Sequence, residues 1–153
     1  MSRNWVDEAK KLFRAEKPEH FTDFRHCSEC AEHDEALRNA TIDGIGMEEL
    51  GNPAWDPVCM STVEGRKYYM PAFVRLSLET VENDFYFEQF LFHLEGGGVD
   101  DALVTACNEQ QRRFLADFIE YMILTFPEAF CGPFDADNAL RVHDIWTAGD
   151  RRT

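Results

Sequence analysis

Three histidines and two cysteines crowd into one short stretch, HFTDFRHCSECAEHD, at residues 20–34. Cys27 and Cys30 form C-x2-C, the spacing that lets two sulfurs reach one ion at about 2.3 Å. His33 extends the pattern to C-x2-C-x2-H. Thiolate and imidazole together are the donor set that suits zinc. Geometry then narrows the arrangement. On one continuous helix, positions 27, 30 and 33 would spread over about 9 Å of axial rise and could not surround one ion. Cys27 must therefore lie in a turn, with a helix beginning near Cys30. For the fourth ligand His20 is preferred to His26, because a residue adjacent to Cys27 tends to point away from it while a longer stretch of chain can loop back. Asp34 or a water stays open as the alternative. The expectation is a structural zinc knuckle held by Cys27, Cys30, His33 and His20.

Other chemistries compete for the same residues. A C-x2-C pair can be a redox dithiol, but that reading looks for a strand followed by a helix, which the surrounding sequence does not offer. The cysteines can also be small buried residues with the histidines solvated. Zinc deaminases pair H-x-E with P-C-x2-C; here His33-Asp34-Glu35 spells H-x-E, but it follows the cysteines, and His26 rather than a proline stands directly before Cys27. The H-E-x2-H motif is absent. A catalytic site of Cys27, Cys30 and His33 with Glu35 as base is the enzyme alternative, a hydrolase or deaminase. Cys59, Cys107 and Cys131 stand alone and are expected in the core.

The elements that would position this cluster read as mainly helical. Trp5, Val6, Ala9, Leu12 and Phe13 share one helical stripe over 5–16, with Pro18 beyond its end. A helix of modest length follows at 31–39. Residues 41–57 are rich in Gly, Pro, Asn and Asp and predict an irregular connection with a short helical turn at Met47–Leu50. VCMST and RKYYM, flanking VEG, predict one short β-hairpin. Pro71 suits a helix start, and the apolar FYFEQFLFHL (85–94) predicts a central buried helix stopped by Gly96–Gly98. Asn108 and Gln111 form a capping box opening a helix whose stripe is Phe114, Leu115, Phe118, Ile119, Met122, Ile123 and Phe126. A last helix covers 137–146, and a polar tail begins near 147. The fold class expected is therefore mainly α (α+β): a single small domain over 1–153, with one hairpin and the N-terminal knuckle.

Charge bounds the partners. The net charge is −14, and residues 41–111 carry 3 basic against 13 acidic side chains. Such a surface repels a phosphate backbone, so nucleic-acid binding is disfavoured, while a basic protein would be attracted. Candidate partner-binding residues are Trp55 and Asp56 in the NPAWDP loop, together with the acidic residues Glu79, Glu82, Asp100 and Asp101. Against this, Trp55 can plug the core from its loop, and the acidity can serve solubility alone. His93, within an apolar run, is expected as a core histidine. Gly96–Gly98 follows a helix, the reverse of a phosphate-binding loop, and no G-x-S-x-G occurs. No run of about 20 apolar residues is present, and MSRNWVDEAKKLF lacks the apolar core of a signal peptide. A cytoplasmic setting with reduced thiols is expected.

The stretches EKPEHF, HCSECAEHD, ELGNPAWDP, YYMPAF and FEQFLFHL give the chain a further likeness. From about Leu12 to Phe126 it resembles a family of uncharacterised bacterial proteins of similar size. The resemblance implies a bacterial context and brings no established activity with it. Together these features favour a small acidic zinc-binding protein that acts by protein–protein interaction, as an immunity protein, inhibitor or adaptor would, over the zinc-dependent enzyme.

Overall fold

The computed structural model describes residues 3–98, 101–130 and 136–148. Among the described residues every regular element is helical. The chain divides into two compact units, Met1–Leu76 and Ser77–Thr153.

In the first unit, α1 (Trp5–Leu12) opens on Asn4, whose side chain accepts the amide of Asp7. It turns Trp5 and Ala9 inward, and Phe13 is buried just past its end. Helix α2 (Ser28–Asn39) follows, with Cys27 as its N-cap. The last carbonyls of a helix have no partner within it, and here distant residues supply one. The Tyr69 hydroxyl donates to Leu37 O at 2.6 Å, and Lys17 Nζ donates to Arg38 O and Ala40 O at 2.7 Å each. Helix α3 (Met47–Leu50) forms at the turn expected for it. Just before it, the Arg75 guanidinium donates to Ile42 O and Ile45 O at 3.0 and 2.5 Å. Phe21, Leu37, Ile45, Leu50 and Val58 are buried, and the Phe21 and Tyr69 rings lie 5.3 Å apart.

The expected β-hairpin is absent, and the fold class α+β is corrected to all-helical for the described residues. VCMST begins in a 3-10 turn (Pro57–Met60) and ends at the N-cap of α4 (Val63–Tyr68), and RKYYM runs through α4 to the start of α5 (Met70–Glu79). Capping explains the difference. Asp56 accepts the amide of Val58 at 3.0 Å, and Pro57 brings a backbone angle already suited to a helical first position. Thr62 then caps α4 by accepting the amide of Gly65 at 3.1 Å. β-Branched and aromatic residues have only a context-dependent preference for strands. Two successive caps outweigh it.

The division between the units falls inside α5, after Leu76. In the second unit, α6 (Phe87–Glu95) buries Phe87, Phe90, Leu91, His93 and Leu94. His93 is thus a buried residue, as expected, but Phe92 is 67% exposed, so α6 is not covered all round. Gly96 ends α6 at φ 42°, a left-handed angle that glycine adopts without strain. Helix α7 (Ala102–Ala106) precedes α8 (Glu109–Thr125), which carries the complete capping box of Asn108 and Gln111. Of the expected stripe, Phe114, Leu115, Phe118, Ile119 and Met122 are buried, while Ile123 and Phe126 are half-buried. Beyond the 3-10 turn at Pro127–Phe130, α9 (Ala136–Ala148) packs on α8 and α6. The Trp146 indole donates to Leu94 O at 3.0 Å and ties α9 to α6. Cys107 is buried, whereas Cys59 is exposed rather than in the core. Cys131 and the residues after Ala148, where most of the polar tail was expected, lie outside the described residues.

Candidate metal centre

The start of α2 gathers three metal-ligating side chains. The donor atoms of His26, Cys27 and Cys30 all lie within 4.8 Å of one another, and this group could hold a metal ion. The two sulfurs are 3.4 Å apart, and Cys30 Sγ is 3.7 Å from His26 Nδ1. Cys27 is extended, at φ −164° and ψ 171°, so it does lie outside the helix. The helix begins at Ser28, slightly before the position near Cys30 that the spacing predicted.

Electrostatics separates the two thiols. The Cys30 amide donates to Cys27 Sγ at 3.3 Å. That bond, with those from His26 and the Cys30 thiol, lowers the Cys27 pKa to about 7. Cys30 is pushed the other way, first by its bond with Cys27 and then by burial. The His26 imidazole is raised by its hydrogen bond with Cys27, reinforced by the charge on that sulfur. Cys27 and His26 are exposed, and Cys30 is buried behind them.

The other two residues expected as ligands lie elsewhere. His20 Nδ1 is 2.8 Å from Asp34 Oδ2, and its ring stacks on Phe24 with centroids 4.1 Å apart. His33 is buried, with its ring 4.6 Å from the Trp55 ring and Nε2 3.9 Å from Glu29 Oε1. The structure thus brings Cys27 and Cys30 together with His26, not with His20 and His33. Adjacent side chains diverge where the chain is extended, as it is at Cys27. Just before it, however, the His26 amide donates to Asp23 O at 3.0 Å, closing a turn that curls the imidazole back over Cys30.

Asp34, the alternative for the fourth ligand, is not in the donor group and serves instead as an anchor. Its Oδ1 accepts the amides of Phe21 and Thr22 at 2.6 and 3.2 Å while Oδ2 faces His20. The Thr22 hydroxyl donates to Cys30 O at 2.6 Å. The loop before the cysteines is therefore fastened to α2 by bonds that use neither sulfur.

The candidate partner-binding residues belong to both units. Trp55 is 45% exposed, whereas Asp56 is 5% exposed and caps the turn at Val58. Glu79 and Glu82 do come together, with Glu128, around an open groove of about 620 Å³ in the second unit. Leu78, Val81 and Phe126 supply apolar lining there. Asp101 caps α7, accepting the amides of Gly97 and Leu103 at 2.8 and 3.1 Å. Asp100 lies outside the described residues.

No helix among the described residues is long and apolar enough to cross a membrane. No family model, curated protein or solved structure matches the chain.

Proposed function

We propose that the protein binds one zinc ion through His26, Cys27 and Cys30 and acts as an interaction protein for a basic partner. The donor triangle carries this reading. With Zn–S near 2.3 Å and Zn–N near 2.0 Å, the corners of a zinc tetrahedron lie about 3.5–3.8 Å apart. The observed 3.4 Å between the sulfurs and 3.7 Å from Cys30 Sγ to His26 Nδ1 come within about 0.4 Å of such edges. Two sulfurs and an imidazole also favour zinc over hard cations such as magnesium or calcium. Three protein ligands leave the fourth corner to solvent or to a donor on a partner.

The groove supports the partner half of the reading. Three carboxylates over an apolar lining complement a basic segment that carries apolar side chains. A bacterial cytoplasm, where thiols stay reduced, suits the free cysteines. The open fourth corner keeps one enzyme alternative, a zinc-dependent hydrolase or deaminase, since catalytic zinc retains such a position. Its original form, with His33 as ligand and Glu35 as base, loses support because His33 packs on Trp55 instead.

Metal analysis of protein purified without chelators tests the site. One zinc per chain is expected, lost in His26→Ala, Cys27→Ser and Cys30→Ser and kept in His20→Ala and His33→Ala. Zinc-free wild-type protein, or full occupancy in the three ligand variants, overturns the assignment. Substrate turnover that a chelator stops and zinc restores would decide for the enzyme.

A further inference from the structure

We propose that Cys27 and Cys30 are a thiol–disulfide exchange pair whose substrates are small-molecule disulfides, and that closing their disulfide expels the metal. The exchange half stands independently; only the release half rests on the zinc reading above.

The geometry divides the labour of such a pair. An attacking thiol has to be reachable from solvent, and a resolving thiol has to wait within bonding reach of it. Cys27 is exposed at the N-cap of α2, while Cys30 is 7% exposed and one turn further in. Their sulfurs are 3.4 Å apart. A disulfide bond is about 2.05 Å long, so closure asks for roughly 1.4 Å of movement. Cys27 stands outside the helix at its N-cap, so its side chain can rotate toward Cys30 without disturbing a helical turn. The surrounding frame need not yield, because Asp34 and Thr22 hold the loop to α2 without using either sulfur. The strand that usually precedes such a pair is not needed when the first cysteine already sits at a helix N-cap with an amide donated to it.

The electrons balance in two displacements. Cys27, having given up its proton or its metal, attacks one sulfur of a disulfide RSSR. A Cys27–S–S–R bond forms and one RS⁻ leaves. Cys30, deprotonated in turn, attacks Cys27 Sγ; the Cys27–Cys30 bond forms and the second RS⁻ leaves. Two cysteines are oxidised and one RSSR is reduced; the two protons on the released thiols come from the free dithiol, or from solvent when the cysteines start as zinc thiolates. The disulfide carries no thiolate, so a bound zinc ion would retain His26 alone and dissociate.

Oxidised glutathione, added to the zinc-loaded full chain, is the probe. Free zinc is followed with a chromophoric chelator, and remaining thiols are counted by alkylation and mass spectrometry. Alkylatable cysteines should fall from the five of the sequence to three, with one zinc released per disulfide and full recovery on adding dithiothreitol. Cys30→Ser should trap one glutathione on Cys27, whereas Cys27→Ser should trap none on Cys30. Five thiols persisting in excess oxidised glutathione, or a disulfide mapping to other cysteines, overturns the exchange pair. A glutathione on Cys30 in Cys27→Ser overturns the assigned roles. Zinc retained by the oxidised chain overturns the release step. A disulfide that forms in protein never holding zinc supports the exchange pair and removes the zinc reading instead.

Discussion

His20 Nδ1 lies 2.8 Å from Oδ2 of Asp34, a carboxylate only 2% exposed. This pairing makes His20 part of a clasp that holds residues 20–22 on α2. Burial alone would raise the Asp34 carboxyl, but hydrogen bonds from His20 and the amides of Phe21 and Thr22 together outweigh it and hold its pKa below the ordinary value. A depressed folded-state pKa contributes stability that is fully present above the unfolded pKa, about 3.9, and lost as pH falls through the folded value. Asp34→Asn should cost about 1–3 kcal/mol at neutral pH, since it loses a buried charge-assisted bond. In urea titrations across pH, the gap between wild type and variant should be constant above about pH 5 and close below about pH 4. A gap that does not change on acidification would mean the carboxylate charge has no part in the clasp.

The clasp also decides what the metal is worth to the fold. The loop reaches α2 through Asp34 and Thr22, so removing zinc should shift the melting temperature far less than it does in a zinc finger, which unfolds without its ion. Far-ultraviolet circular dichroism with and without a chelator checks this. Loss of helix on chelation would show that the ion, not the clasp, closes the loop.

Gly65 lies inside α4, where alanine would ordinarily add about 1 kcal/mol of helix stability. Here a Cβ would stand 2.7 Å from Cδ1 of the buried Phe21 and would also meet Ser61 Oγ. Gly65→Ala is expected to destabilise by about 1–3 kcal/mol through overpacking, reversing the usual sign. Chemical denaturation reads the sign directly, and a stabilised variant would refute the close approach.

Asn108 and Gln111 close their capping box with bonds of 2.8 and 2.9 Å. Asn108→Ala should cost about 1 kcal/mol. The same measurement on Asn108→Asp should show a much smaller loss, because its carboxylate still accepts the Gln111 amide and suits the positive end of the helix.

Partner association should depend on the groove. Glu82→Lys combined with Glu128→Lys is expected to slow association with a basic partner by about tenfold at low salt, with the difference fading as salt screens it. Trp55→Ala should instead raise the dissociation rate if its exposed face is buried on binding. Association kinetics on a basic protein recovered by affinity purification test both, and rates indifferent to salt and charge reversal would leave the acidity to solubility.

What the sequence disclosed was local. The capping box, α3 and the buried stripe of α8 depend on residues a few positions apart, and all three were legible. The helices at 57–70 are marked in the sequence by Asp56-Pro57 and by Thr62, but the Val, Thr and Tyr residues around them carry the opposing strand signal. The C-x2-C pair was legible as a donor pair from its spacing. The turn that brings His26 onto it depends on one backbone bond to Asp23, and no residue type announces that. The His20–Asp34 clasp spans fourteen positions and the Gly65–Phe21 approach forty-four, so neither leaves a periodic trace.

Helix α2 is gripped at its far end by Lys17 and Tyr69, which approach from opposite directions along the chain. Fraying of its last turn would have to break the bonds that Lys17 and Tyr69 donate to the carbonyls of Leu37, Arg38 and Ala40. Its backbone amides should therefore exchange with deuterium mainly when the first unit opens as a whole, rather than by melting from the C-terminus inward. Loading, losing or oxidising the cysteines at the other end can then change the chemistry of the surface without loosening the helix that carries it.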